Sequence, residues 1–190
     1  MNKLHVILTS TRPGRVGEPI TKWFVEHAKT HGKFEVTLVD LKEVNLPIFD
    51  EAKHPRFKDY AHEHTKAWSK TVDAADAFVF VLPEYNFTTP PAFVNALTYL
   101  SQEWGYKPAG LVSYGGVSAG LRSAQMAKLA LTAFKMMPIP EAVSIPMFSQ
   151  FMDEKKNFNG NDILNKSIPA MLDELDRWAT ALKPLRAPVK

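Results

Sequence analysis

Three short segments of this chain concentrate residues that can hold an anion or a flat polar ring. The first is Thr9-Ser10-Thr11-Arg12-Pro13-Gly14-Arg15-Val16-Gly17. An apolar run enters it, hydroxyls and glycines turn the chain, and an amphipathic run leaves. Backbone N–H groups at a helix start, the Ser10 or Thr11 hydroxyl and the Arg12 and Arg15 guanidinium groups suit a phosphate. The alternative is a turn carrying solvated arginines; the apolar run before it favours phosphate. No Gly-Lys-Ser/Thr follows, so this is not a P-loop, and the dinucleotide glycine triplet is missing too. A monophosphate is the simpler ligand. The second segment, Pro83-Glu84-Tyr85-Asn86-Phe87-Thr88, sets an aromatic among hydrogen-bonding residues. That arrangement serves a planar heterocycle or a simple turn. The third, Ser113-Tyr114-Gly115-Gly116-Val117-Ser118-Ala119-Gly120, exposes N–H donors at paired glycines, or again only turns the chain.

Other chemistry in the same residues fails on order or spacing. Gly116-Val117-Ser118-Ala119-Gly120 matches the nucleophile elbow of α/β-hydrolases, whose triad runs serine, acid, histidine along the chain. All six histidines (5, 27, 31, 54, 62 and 64) precede Ser118, so the serine hydrolase fails on that order unless its arrangement is a new one. His62 and His64 lie in a helix-period stretch, where neighbours two apart do not share a face, so no metal site is expected. His27 and His31 share a face, as packing or surface residues do. Asp40 ends a strand where it could serve as a ribose-binding acid, without the glycine fingerprint that accompanies one.

Positioning these segments falls to an alternation of strands and helices. Residues 4–9, 34–41, 77–82, 111–114 and 142–145 read as strands, and 77–82 has no polar alternation, as in a strand buried on both faces. Between them run helical faces: Ile20, Trp23, Phe24, His27 and His31; then Phe57, Tyr60, Ala61, His64 and Trp68; and last Leu164 through Leu182. Thr88-Thr89-Pro90-Pro91 reads as a hydroxyl cap and proline start for a further helix, and 119–134 as another. The expectation is an α/β fold: a doubly wound, five-stranded parallel sheet of flavodoxin-like order 2-1-3-4-5, with helices on both faces. One domain spans 1–183, with a frayed tail over 184–190, and the connections 43–56 and 146–161 are unusually long. Ligands of such sheets bind beyond the carboxyl ends of the strands. The loops after strands one, three and four, which carry the three segments, converge there.

Composition narrows the function further. The 190 residues include no cysteine, which excludes thiol nucleophiles, zinc–thiolate sites and iron–sulfur clusters. A formal net charge of +3 is too small for a dedicated nucleic-acid surface, yet it is compatible with an anionic small molecule. No run approaches the roughly 20 apolar residues of a membrane span. A cytoplasmic protein is the default expectation.

Taken in order, these segments resemble the NAD(P)H-dependent FMN reductase family, flavodoxin-like proteins that include quinone and azo reductases. Thr9-Ser10-Thr11-Arg12 stands where members have Gly-Ser-x-Arg. Pro83-Glu84-Tyr85-Asn86 matches their Pro-Glu/Gln-Tyr-Asn, and Gly115-Gly116 their paired glycine; Leu46-Pro47-Ile48-Phe49-Asp50 is similar as well. The resemblance covers about residues 3–150. It implies that Ser10, Arg12, Arg15, Val16 and Gly17, with Thr11 beside them, surround the FMN phosphate. Pro83, Glu84, Tyr85 and Asn86 would contact the isoalloxazine and ribityl chain, and Tyr114, Gly115 and Gly116 the pyrimidine edge. It further implies ping-pong hydride transfer from NADPH or NADH, through FMN, to a small acceptor such as a quinone, azo compound, flavin or metal ion. The cofactor then carries the chemistry, with no catalytic side chain. A homodimer or homotetramer follows, with Phe87, Trp104 and Tyr106 as interface or buried aromatics. A flavin-based electron carrier or redox sensor is one rival reading, and a serine hydrolase using Ser118 is the lesser one.

Overall fold

A computed structural model describes residues 1–186. Five strands, β1 (Asn2–Leu8), β2 (Phe34–Asp40), β3 (Ala77–Pro83), β4 (Pro108–Tyr114) and β5 (Met137–Ile145), form one parallel sheet in the order β2-β1-β3-β4-β5. This is the expected order. Every residue of β3 and β4 is buried, which explains why β3 reads as a continuous apolar run. Helices α1 (Gly17–His31) and α6 (Asp162–Leu182) cover one face. On the other lie α3 (Glu63–Asp73), α4 (Pro91–Thr98), α5 (Leu121–Ala133) and the short α2 (Leu41–Val44).

The departures from expectation have local causes. β5 starts five residues earlier than read, across Pro138 and Pro140, because an edge strand tolerates prolines that a central strand would reject. β4 likewise starts earlier and includes Gly110, where a side-chain carbon would lie 2.9 Å from the Met171 sulfur of α6. α3 begins only at Glu63: Pro55–Phe57 form a separate 3-10 turn, and Phe57 points into solvent. With His62 extended as the N-cap, its ring stacks on that of His64 at 5.1 Å, and both face Asp50. These rings share a side because His62 stands outside the helix. α4 starts after Pro90, and neither threonine before it caps the helix. Trp104 is fully buried beside Trp68 and Phe78, which removes it from any interface. Of the expected tail, residues 184–186 are tied down in the 3-10 turn Lys183–Arg186. Arg186 there donates to Asp76 Oδ1 at 2.7 Å and to the Tyr106 carbonyl at 3.2 Å. Residues 187–190 lie outside the described residues.

At the end of the sheet away from the three loops, Lys107 is buried, and its ammonium donates to the carbonyls of Val72 at 2.8 Å and Asp73 at 3.2 Å. Burial lowers its pKa from 10.5 to about 8. Below pH 8 both the folded and unfolded states hold the proton, and the fold bears the full cost of the buried charge. Between about 8 and 10.5 the unfolded chain binds more protons, so stability rises with pH. The expected gain over that window is about 3 kcal/mol. Urea unfolding at a series of pH values checks it. Lys107→Met should lose this rise, and an equal rise in that variant would assign it to other groups.

Candidate functional site

β1 hands over to the first loop through Thr9, whose N–H and hydroxyl both reach the Val81 carbonyl of β3, at 3.3 and 2.6 Å. The chain then turns through Gly14, at φ +68°, and enters α1 at Gly17. No side chain caps α1. Among the described residues, the N–H groups of Ser10, Thr11 and Gly17 meet no protein acceptor. The Ser10 hydroxyl is fully buried and lacks a hydrogen-bond partner there. Its neighbour is the Tyr114 hydroxyl, so the donors left open in this loop are its backbone N–H groups. These donors at a helix N-terminus fit a phosphate.

The two arginines of this loop have separate fates. Arg15 is largely buried: one nitrogen donates to the Ser10 carbonyl and Asp40 Oδ1, each at 2.7 Å, and the other pairs with Asp40 Oδ2. Its hydrogen bonds to Asp40 outweigh burial and raise the guanidinium's pKa. Asp40 also caps α2 by accepting from the Lys42 N–H at 2.9 Å. Arg15 is therefore a strut between the first loop and the end of β2, and Asp40 is consumed by it. Arg12 is exposed; its carbonyl accepts from the Arg15 N–H at 3.2 Å, and its guanidinium makes no hydrogen bond or ion pair among the described residues. Burial raises the pKa of the Tyr85 phenol, and the positive charges of Arg12 and Arg15 oppose the rise. That opposition reflects how closely the first and second loops converge.

In the second loop, Tyr85 and Thr88 exchange backbone hydrogen bonds of 3.0 and 2.9 Å across Asn86 and Phe87, at φ +50° and +67°. This is the primed two-residue turn, here with phenylalanine where glycine is usual. Phe87 is two-thirds exposed, and the Arg122 guanidinium stacks over its ring at 4.2 Å. Asn86 is exposed, while Pro83 is buried as the last residue of β3. The Glu84 carboxylate turns inward, accepting from the Ser118 hydroxyl at 2.9 Å, the Arg122 N–H at 3.2 Å and the Arg122 guanidinium at 2.7 Å. Burial pushes its pKa up, but these donors prevail and hold it below the usual carboxylate range.

The third loop departs most from its expected role. The Tyr114 ring is buried edge-on to Phe148 at 5.8 Å, with its hydroxyl beside Ser10 and Gly17. Its side chain thus packs beneath the first loop. The carbonyls of Gly115 and Gly116 accept from Phe148 and Met147 at 3.3 and 2.9 Å, anchoring the long connection 146–161. Among the described residues, the N–H groups of Gly116, Val117 and Ser118 meet no protein acceptor. Ser118 donates to a carboxylate, and no imidazole activates it. The sequence analysis missed Arg122, whose partner Glu84 lies 38 residues away and outside any periodicity.

Residues 2–150 match the family model described as NADPH-dependent FMN reductase. The chain is 33% identical over 191 residues to the NAD(P)H-dependent FMN reductase ntnL of Nectria sp, covering 96% of this chain and 90% of that protein. It is 37% identical over 147 residues to the NAD(P)H-dependent FMN reductase C4B3.06c of Schizosaccharomyces pombe, covering 76% and 74%. Among solved structures, the flavoenzyme NAD(P)H:(acceptor) oxidoreductase FerB of Paracoccus denitrificans shares the fold. Its TM-score is 0.74 at 20% identity, over 95% of this chain and 98% of that one.

A side-chain carbon on Gly17 would lie 2.5 Å from Ser10 Oγ and 2.6 Å from the Tyr114 hydroxyl, whereas one on Gly116 would meet nothing within 4 Å. Gly17→Ala should therefore destabilise the protein by about 1–3 kcal/mol in urea unfolding, despite alanine's better helix propensity. Gly116→Ala should change stability by less than about 0.5 kcal/mol. Equal effects at the two positions would contradict the close packing of Gly17.

Proposed function

Because the chain belongs to the family of NADPH-dependent FMN reductases, we propose that the three-loop rim is its FMN site. The protein is an oxidoreductase that uses NAD(P)H and FMN. The observation that carries the assignment of the rim is the group of backbone N–H donors without a protein acceptor at the uncapped start of α1, over the buried Ser10 hydroxyl and with the unpaired Arg12 guanidinium at the edge. Ser10, Thr11, Arg12, Val16 and Gly17 would surround the phosphate. Arg15 acts on it through the loop it braces. Pro83, Tyr85 and Asn86 would line the ring and ribityl chain, and the free N–H groups at Gly116 and beyond would meet the pyrimidine edge.

Bound FMN supplies hydride acceptance from the nicotinamide and two-electron transfer to the acceptor. The chain's own work is to orient and to bias charge. Backbone donors fixed at the pyrimidine edge favour the negative charge that reduction brings there. No side chain has to move a proton, and Glu84 and Ser118 are already engaged with each other. Relatives that include a 2-hydroxy-1,4-benzoquinone reductase of Burkholderia sp point to quinones as one acceptor class, with azo compounds, free flavin or metal ions as the others considered. A homodimer or homotetramer accords with the apolar residues left exposed on α4 and α5, Val94, Leu121, Met126 and Leu129, and with the exposed Phe87; a cytoplasmic location remains part of the same reading. Among the described residues no helix is long and apolar enough to cross a membrane.

The purified protein should show a yellow flavin spectrum, or acquire one with FMN, and bleach on anaerobic addition of NADPH. Absence of flavin-fluorescence quenching at micromolar protein would overturn the assignment. Steady NAD(P)H oxidation with a quinone should distinguish the enzyme from a carrier or sensor, which would show almost none. Arg12→Ala should weaken FMN binding by about 1.5–3 kcal/mol, the worth of a hydrogen bond to a charged group. An unchanged dissociation constant would place Arg12 off the phosphate.

A further inference from the structure

The second and third loops leave neighbouring strands, β3 and β4, and one carboxylate joins their tips. Glu84 accepts three hydrogen bonds, all from the segment 118–122: the Ser118 hydroxyl, the Arg122 N–H and the Arg122 guanidinium. Its own N–H donates to the Tyr114 carbonyl at 3.2 Å, so backbone and side chain span the same gap. The turn they hold is not one the chain adopts readily. Ala119 sits at φ +55° and Gly120 at φ +75°, and a side-chain carbon on Gly120 would lie 2.7 Å from the Tyr114 nitrogen. A left-handed alanine persists only where its surroundings over-determine it. Besides Glu84, Ser113 Oγ donates to the Ala119 carbonyl at 2.9 Å, and the Leu121 N–H to the Ser118 carbonyl at 2.9 Å.

We propose that Glu84 is a positioning residue: its carboxylate fixes the turn 116–119, so that the free N–H groups of Gly116, Val117 and Ser118 are presented together to the ring's pyrimidine edge. This rests on the reading of the rim as an FMN site. A role limited to capping α5 would need only the bond from the Arg122 N–H. The Ser118 hydroxyl adds a direct hold on the turn itself, and the guanidinium balances the buried charge while sitting over the Phe87 ring. The carboxylate thereby welds the turn bearing Phe87 to the turn bearing the donors, and Gly115-Gly116 cannot drift from Tyr85 without breaking a charge-assisted bond.

The test compares Glu84→Ala, Glu84→Gln, Ser118→Ala and Arg12→Ala by titration with riboflavin and with FMN, by the midpoint potential of bound FMN, and by amide hydrogen exchange without flavin. Glu84→Ala should lower the affinity for riboflavin and FMN by the same factor, about tenfold or more. It should also move the potential of bound FMN to more negative values and speed exchange at Ala119, Leu121 and Arg122. Gln, which still accepts from Ser118 and the Arg122 N–H, should restore part of each effect. Adding Ser118→Ala to Glu84→Ala should cost no further affinity, since the two act as one unit. Arg12→Ala should weaken FMN and leave riboflavin unchanged. A Glu84→Ala protein that melts earlier but keeps wild-type riboflavin affinity, potential and exchange would overturn the proposal. Should the wild-type chain take up no flavin, the reading of the rim falls, while exchange at 119–122 still decides whether Glu84 holds the turn.

Discussion

Where β1 gives way to α1, Gly17 lies against the Ser10 and Tyr114 hydroxyls, and the arrangement of the rim follows from that contact. With no Cβ at 17, the helix starts directly over the end of the sheet instead of beside it. Its first N–H groups then share one small space with those of Ser10 and Thr11. Any larger residue would push α1 outward, and the Ser10 hydroxyl would open to water. Tyr114, at the end of β4, completes the support from below. A residue from the third loop thus sets the shape of the first, which is how a parallel sheet couples loops far apart in sequence.

The two arginines of the first loop show how context divides identical chemistry. Arg15 is nearly out of solvent and paired with Asp40 in a two-pronged ion pair. Removing two charges from water offsets much of their attraction, so such a pair is weak evidence for stability. What it supplies is geometry: the Ser10 carbonyl also takes a bond from Arg15, which turns that peptide's oxygen toward the guanidinium. Arg12, three residues earlier, has no such partner among the described residues and keeps its charge at the surface.

Much of this was legible in the residues themselves. Five strand–helix alternations and the unbroken apolar run of β3 point to a parallel sheet covered on both faces, and the number of strands favours the order 2-1-3-4-5, which the residues alone do not show. The loops after β1, β3 and β4 stand out because their hydroxyls, arginines and paired glycines fall together where a parallel sheet binds its ligands, although each alone also reads as a turn. Local periodicity could not reveal which side chains were already committed. Arg15 and Asp40 are 25 residues apart, and Glu84 and Arg122 are 38 apart; tertiary packing alone joins them. Phe57 and Tyr60 failed for a related reason: their spacing fits the face of α3, but Pro55 begins a separate turn and the helix waits until Glu63. In β5 the prolines concealed an edge strand, where an unpaired backbone N–H would have faced outward in any case.

A modest net charge is compatible with an anion site because the rim sorts its backbone groups by sign. The carbonyls of Ser10, Gly115 and Gly116 all accept protein hydrogen bonds, from Arg15, Phe148 and Met147 respectively. The N–H groups of Ser10, Thr11, Gly116, Val117 and Ser118 meet no acceptor among the described residues. The carboxylates at the rim, Asp40 and Glu84, are each neutralised by an arginine. With these three carbonyls engaged and these five N–H groups left over, peptide dipoles at the rim favour an anion, and the Arg12 guanidinium adds a full positive charge. Such an arrangement needs no excess of lysine and arginine, so composition gives no measure of it. Fixed in place by the fold, these dipoles have little reorganising to do when negative charge arrives.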